Sequence, residues 1–334
     1  MALNKVNLFR IDGTLGAVSN IQTSAINGGP LAGLRNAIIN GNFDFWQRGT
    51  SFTLTEYGAD RWINNRGGTT ATHSRQPFTV GQTAVPNEPT YFCRTVVSTV
   101  AGAGNFAGLF QHIEDVRTFA GQQVTVSFWA KVDATKNIAV ELTQDFGTGG
   151  SPSAEVTTIG TTKVSIGTSW QKVTVTATMP SISGKTLGTN NDHSLDLFIW
   201  FDAGSTFNAR TDSLGQQSGT FDIAQVQIER GPIATPFERR PIGQELALCQ
   251  RYFHAGGFYG WSYVTGASNV RVASVYFATQ MRVSPSILFL SASGSNANGQ
   301  TVEGLTPKNF GIFTGALAPG NVNLEGTYSA YAEL

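Results

Sequence analysis

The sequence predicts an all-β protein: an antiparallel, jelly-roll-like β-sandwich and a smaller C-terminal β domain, joined by one short helix. Three observations carry this. Apolar and polar residues alternate at period two in run after run, turn-forming Gly, Asn, Ser and Pro separate the runs, and only one segment has helical spacing. At 334 residues the chain also exceeds the size at which one hydrophobic core usually stops growing.

Residues 1–36 carry Gly13, Gly16, Gly28, Gly29, Pro30 and Gly33 between short apolar pieces at Val6, Leu8 and Ile11. They read either as an extended arm that gains order by docking on a partner or as a disordered leader. From Ala37 to about residue 240 the pattern is that of a sandwich. Val124, Val126, Phe128, Ala130 and Val132 share one face, opposite Thr125, Ser127, Trp129 and Lys131. Leu195, Leu197, Ile199 and Phe201 lie opposite Asp196, Phe198, Trp200 and Asp202, and Val173, Val175 and Ala177 alternate with Lys172, Thr174, Thr176 and Thr178. In the last strand, Asp222, Ala224, Val226 and Ile228 form the more apolar side, expected to face inward against Ile223, Gln225, Gln227 and Glu229.

Pro241 can open a helix, and Ile242, Leu246, Cys249 and Phe253 fall on one face at helical spacing. A connector helix within 241–255 is expected, with Ile242, Leu246 and Phe253 buried. Residues 256–334 return to strand-like runs over 270–278 and 286–291, which the Ser- and Asn-rich stretch 293–299 is expected to break.

Composition removes several function classes. Charged residues make up 13% of the chain, against about 25% in ordinary soluble domains, and 22 basic residues balance 22 acidic ones without a basic run. A nucleic-acid or anionic-membrane partner held by bulk charge is therefore not expected. The opening Met-Ala-Leu-Asn-Lys-Val lacks the apolar stretch of a secretory signal, and nothing approaches about 18 uninterrupted apolar residues, so neither export by such a signal nor membrane insertion is expected. Cys93 and Cys249 are too few for a disulfide framework and read as buried free thiols, with a single disulfide as the open alternative.

No nucleophile elbow, zinc-protease or phosphate-loop motif occurs, and His73, His112, His193 and His254 are scattered singly. Glycosidase carboxylates converge in space rather than in sequence, so their absence is not legible here, but nothing in the sequence supports an enzyme. The sharper signal is aromatic. Trp129 with Lys131, and Trp200 with Asp202, fall on the polar sides of their strands, where an indole plate beside hydrogen-bonding groups suits a sugar ring. The competing reading covers both tryptophans with the other domain or a neighbouring subunit. Trp46, Trp62 and Trp170 read as packing residues.

Four ordered stretches carry a resemblance. They are Asn40-Gly-Asn-Phe-Asp-Phe-Trp-Gln-Arg-Gly-Thr50 with Ala59-Asp-Arg-Trp62; Phe110-Gln-His-Ile-Glu-Asp-Val116 continuing to Val126-Ser-Phe-Trp-Ala-Lys131; Ala224-Gln-Val-Gln-Ile-Glu229 with Ala234-Thr-Pro-Phe-Glu-Arg-Arg-Pro241; and Leu246-Ala-Leu-Cys-Gln-Arg-Tyr-Phe253. Over about two thirds of the chain, the set resembles bacteriophage tail-fibre and minor tail proteins with a carbohydrate-binding-module-like jelly roll. The resemblance implies a virion appendage made in the host cytoplasm, a homotrimer, contact with other virion proteins through the N-terminal arm, and attachment to a host surface polysaccharide. It requires no cofactor, although modules of this shape often hold a structural Ca²⁺ near their first and last strands, where Asp44 and Asp222 stand; hard oxygen ligands suit that ion. A connector or capsid/neck decoration protein without glycan binding is the rival reading. A capsule depolymerase fits less well, because short strands with turns suit a sandwich better than a repeating β-helix.

Overall fold

The computed structural model describes residues 34–334; the arm expected over residues 1–36 therefore lies, but for its last three residues, outside the described part. Strands are numbered in chain order. The first sheet runs β1 (Ser51–Phe52), β4 (Thr70–Pro77), β5 (Tyr91–Ser98), β12 (Gly219–Arg230), β7 (Gln123–Val132), β10 (Gln171–Thr178). The second runs β2 (Glu56–Tyr57), β3 (Ile63–Gly67), β6 (Phe106–Ile113), β11 (Ser194–Ala203), β8 (Lys136–Asp145), β9 (Val156–Ile166). All neighbours are antiparallel, and the chain passes repeatedly from one sheet to the other, as in a jelly roll.

The inward residues are those the alternation named. Val124, Val126, Phe128, Leu195, Leu197, Ile199 and Val173 meet in one core between the sheets. Each large side chain fully buried there contributes about 1.5–3 kcal/mol. Trp46 and Trp62 belong to the same core.

Strand β12 departs from strict alternation. Its pairing with β7 slips between Ala224 and Gln227, and Gln225 takes a left-handed φ of 50°. The extra residue of this β-bulge exchanges the faces beyond it, so Ile223 points inward before the bulge and Val226 and Ile228 after it. Asp222 and Ala224 consequently do not share a face with Val226 and Ile228, which corrects the single apolar side expected from the sequence.

Two three-stranded antiparallel sheets follow: β13 (Phe253–Val264), β18 (Gly320–Tyr331), β15 (Ser286–Ser295), and β14 (Asn269–Tyr276), β17 (Asn309–Ala316), β16 (Ala297–Glu303). They enclose a second core that includes Phe258, Phe310, Ile312, Val322 and Leu324. The stretch 293–299 does not break this unit, because β15 and β16 run through it and turn at Asn296, whose φ of 55° suits asparagine.

A turn of helix, α1 (Asn208–Thr211), follows β11, and the connector helix is α2 (Ile242–Gln250). The latter is shorter than its pattern suggested. Ile242 is 71% exposed, Leu246 is half-buried, and Phe253 is buried as the first residue of β13 rather than on the helix. Polar anchoring replaces the apolar stripe: the Glu245 carboxylate accepts from the Asn40 N–H at 2.5 Å and from Arg240 at 3.1 Å. Cys93 and Cys249 are both free and buried, and burial pushes both thiol pKa values up.

Candidate functional site

The four motif stretches converge on a structural knot. Asn40 hydrogen-bonds through its side chain to Phe45 and to the Asp60 carbonyl, while its own carbonyl accepts from the Trp62 indole N–H at 3.0 Å. Glu238 accepts from the Asn36 N–H, and Arg240 donates to the carbonyls of Ile38 and Asn36. Glu114 accepts from Arg251 at 2.9 Å and from the Tyr252 hydroxyl at 2.7 Å. Arg61 and Arg48 both pair with Glu333, and their guanidinium groups lie over the rings of Tyr252 at 3.6 Å and Phe253 at 3.7 Å. These motifs hold the entering loop, the 234–245 segment, α2 and the C-terminal β unit against the sandwich.

The structure separates the sequence-named sugar candidates. Trp129 and Lys131 lie on β7 of the first sheet, Trp200 and Asp202 on β11 of the second. Trp200 is only 1% exposed: it stacks on Phe198 at 3.8 Å, Phe207 and Leu214 from the segment after β11 close over it, and its indole N–H donates to Glu141 at 3.1 Å. Asp202 is buried, accepting from the Thr69 and Thr99 hydroxyls and the Gln217 N–H. Neither offers a surface to a ligand. The outer face of β11 is polar by pattern but covered by chain that follows it.

The two calcium candidates, Asp44 and Asp222, are both engaged by neighbouring side chains. Asp222 takes a two-pronged contact from Arg94 at 2.7 and 2.9 Å and a third from Lys131 at 3.3 Å, while Asp44 accepts from Asn42. Arginine and lysine already neutralise the carboxylate a cation would need, and the described residues contain no cluster of three or more His, Cys, Asp or Glu placed for a metal.

Trp129 itself lines a groove of about 390 Å³ on the outer face of the first sheet, together with Lys172, Gln225, Ser127, Asn87 and Phe237 among others. Its construction follows from the register. Trp129 stands directly across from Lys172 of β10 on one side and Ala224 of β12 on the other, and it is only partly buried. The bulge then carries Gln225 to the groove. Gln225 is 3% exposed, and its side-chain N–H donates to the Pro86 carbonyl at 2.7 Å, tying the strand to the 86–87 loop at the groove edge. Lys172 donates to the Thr235 carbonyl at 3.3 Å; burial pulls its pKa below the ordinary lysine value and Glu229 opposes this.

Lys131 sits two residues along β7, with its ammonium 5.3 Å from the Trp170 ring. The lining thus offers an aromatic plate with ammonium and amide donors, but no carboxylate. Trp129 was legible in the sequence. Gln225, Lys172 and Asn87 were not, because the sequence around Gln225 reads as unbroken alternation and only the register of β12 on β7 reveals the bulge.

Fold and groove define the class: an all-β sandwich protein with an aromatic-floored polar groove on one sheet. Neither a protein-family model nor a curated protein matches the chain. Among solved structures, the enzymatically active domain of tailspike protein 4 from bacteriophage CBA120 overlaps with a TM-score of 0.34 at 14% identity, covering 61% of this chain and 22% of that one. The CBM22-2 xylan-binding domain from Paenibacillus barcinonensis overlaps with a TM-score of 0.33 at 16% identity, covering 54% of this chain and 98% of that one. A family 11 carbohydrate-binding module from Clostridium thermocellum gives 0.33 at 11% identity, with 56% and 98% covered.

Proposed function

We propose that this protein is a non-catalytic carbohydrate-binding appendage of a bacteriophage particle, whose sandwich groove takes a host surface polysaccharide. The groove carries the reading: Trp129 supplies the face on which a pyranose C–H surface stacks, and Lys172 and Asn87 supply donors. Glycoside hydrolysis ordinarily needs two flanking carboxylic acids, and the lining contains none. The ordered motif series supports the virion setting, a homotrimer, and attachment to other virion proteins through the N-terminal arm. Three weak grooves on one trimer raise avidity well above single-site affinity.

The test is glycan-array binding by the full chain and its Trp129→Ala variant, with mass photometry on the same samples. Loss of stacking is expected to weaken binding by about 1–3 kcal/mol, taking the scale of base stacking on aromatics, with assembly and melting temperature unchanged. Unaltered glycan binding together with lost assembly overturns the reading and assigns the face to a partner subunit.

A further inference from the structure

The outward face of the C-terminal sheet β13-β18-β15 bears an uncovered aromatic row. Tyr259, Trp261 and Tyr263 are 67%, 66% and 65% exposed and occupy alternate positions of β13. Alternate positions project from one face about 6.5–7 Å apart. The row is not misplaced core. Phe258 and Val264 point the other way into the second core, with Val322 and Leu324 of the neighbouring strand.

Beside the rings stands a polar strip. Register places Glu325 across from Tyr259, Asn323 from Trp261 and Asn321 from Tyr263, with Ser293 and Ser295 beyond on β15. The Glu325 carboxylate and the Asn321 amide have no side-chain partner among the described residues, and Asn323 spends only its Oδ1, on Ser295. At one end the surface sinks into a hollow of about 620 Å³ between Tyr259, Ser291 and Thr327, floored by Gly257 and Gly326.

From this juxtaposition we infer that the C-terminal sheet is a second carbohydrate-binding face, for an extended run of neutral pyranose units lying along β13. Charge selects the ligand class. The three strands contain no Lys or Arg and a single carboxylate, Glu325, so nothing neutralises a polyanion and Glu325 repels one. An apolar partner, such as a lipid surface, would strand the amides, hydroxyls and carboxylate without hydrogen bonds. A neutral polyhydroxylated chain meets both demands: C–H faces on successive rings and hydroxyls on Asn321, Asn323, Glu325 and the serines. The site is separate from the Trp129 groove and stands whether or not that groove binds sugar.

The experiment is affinity electrophoresis of the full chain through gels containing a purified neutral glucan, mannan or galactan, with alginate as the anionic comparison. Retardation by at least one neutral polymer and none by alginate is expected, with quenching of tryptophan fluorescence. Trp261→Ala should raise the apparent Kd about 10-fold or more, and Trp129→Ala should leave this retardation in place. Gly257→Leu gives an independent block: a Cβ at Gly257 meets nothing closer than the Gly326 carbonyl at 3.6 Å, so a side chain can be started there into the hollow. Absence of retardation by every neutral polymer overturns the inference. So does retardation that survives both Trp261→Ala and Gly257→Leu, or a Trp261→Ala variant whose particle mass falls in mass photometry, which assigns the face to a second copy of the chain.

Discussion

Replacing Glu333 tests how the C-terminal unit is held to the sandwich. Arg48, Arg61, Asp60 and Glu333 form a charge-balanced group with little water: their side chains are 9%, 1%, 1% and 10% exposed. Burial pulls both guanidinium pKa values down. Glu333 bonds Arg48 at 2.6 Å and also holds Arg61, whose other hydrogen bond goes to the His112 carbonyl at 2.6 Å. Glu333→Gln is nearly isosteric and leaves one buried positive charge unbalanced. Breaking one side of a buried pair costs about 3–5 kcal/mol, and the partial exposure of Glu333 places this case near about 3 kcal/mol. For units of this size each kcal/mol lowers the melting temperature by about 2–4 °C, so a fall of about 6–12 °C is expected by calorimetry. Adding Arg61→Met removes the unbalanced charge and should return part of the loss. A single variant melting with the parent, or a double variant melting below the single one, refutes the balanced-charge account.

Acidification should destabilise the sandwich through His73, whose pKa burial lowers from 6.5 to about 3. The unfolded chain takes up the proton below about pH 6.5 while the folded chain refuses it, so stability present above that pH is lost as pH falls toward about 3, by up to about 1.4 kcal/mol per pH unit. Urea unfolding from pH 7 to 4 reads the slope, and His73→Gln should flatten it; an unchanged slope in that variant rejects the assignment. Trp200→Ala should cost about 3–5 kcal/mol of stability, as truncation of a packed tryptophan does. Any fall in glycan binding should then track unfolding, and specific loss of binding in a fully folded Trp200→Ala protein contradicts its placement as packing.

Sequence alone determined the strands whose two sides differ in chemistry. Val124 to Val132, Leu195 to Phe201 and Val173 to Ala177 bury the predicted residues because period two is a property of a single extended segment and needs no knowledge of its neighbours. It determined less wherever one residue breaks that period: the bulge at Gln225 is set by how β12 meets β7, and it moves Gln225 from a strand position into the groove. Alternation likewise names an outer face without saying whether it stays bare. Trp129 and Trp200 carry the same local pattern, yet Trp200 is sealed by Phe207 and Leu214, whereas Trp129 stays partly exposed and lines the groove. Tyr259, Trp261 and Tyr263 show the converse, since their alternation with Phe258, Gly260, Ser262 and Val264 stands in the sequence and only the second core reveals which side is free. Exposure belongs to the packing of distant segments, each of which lowers its own free energy by covering apolar surface wherever it lands, and that choice is made by the tertiary structure.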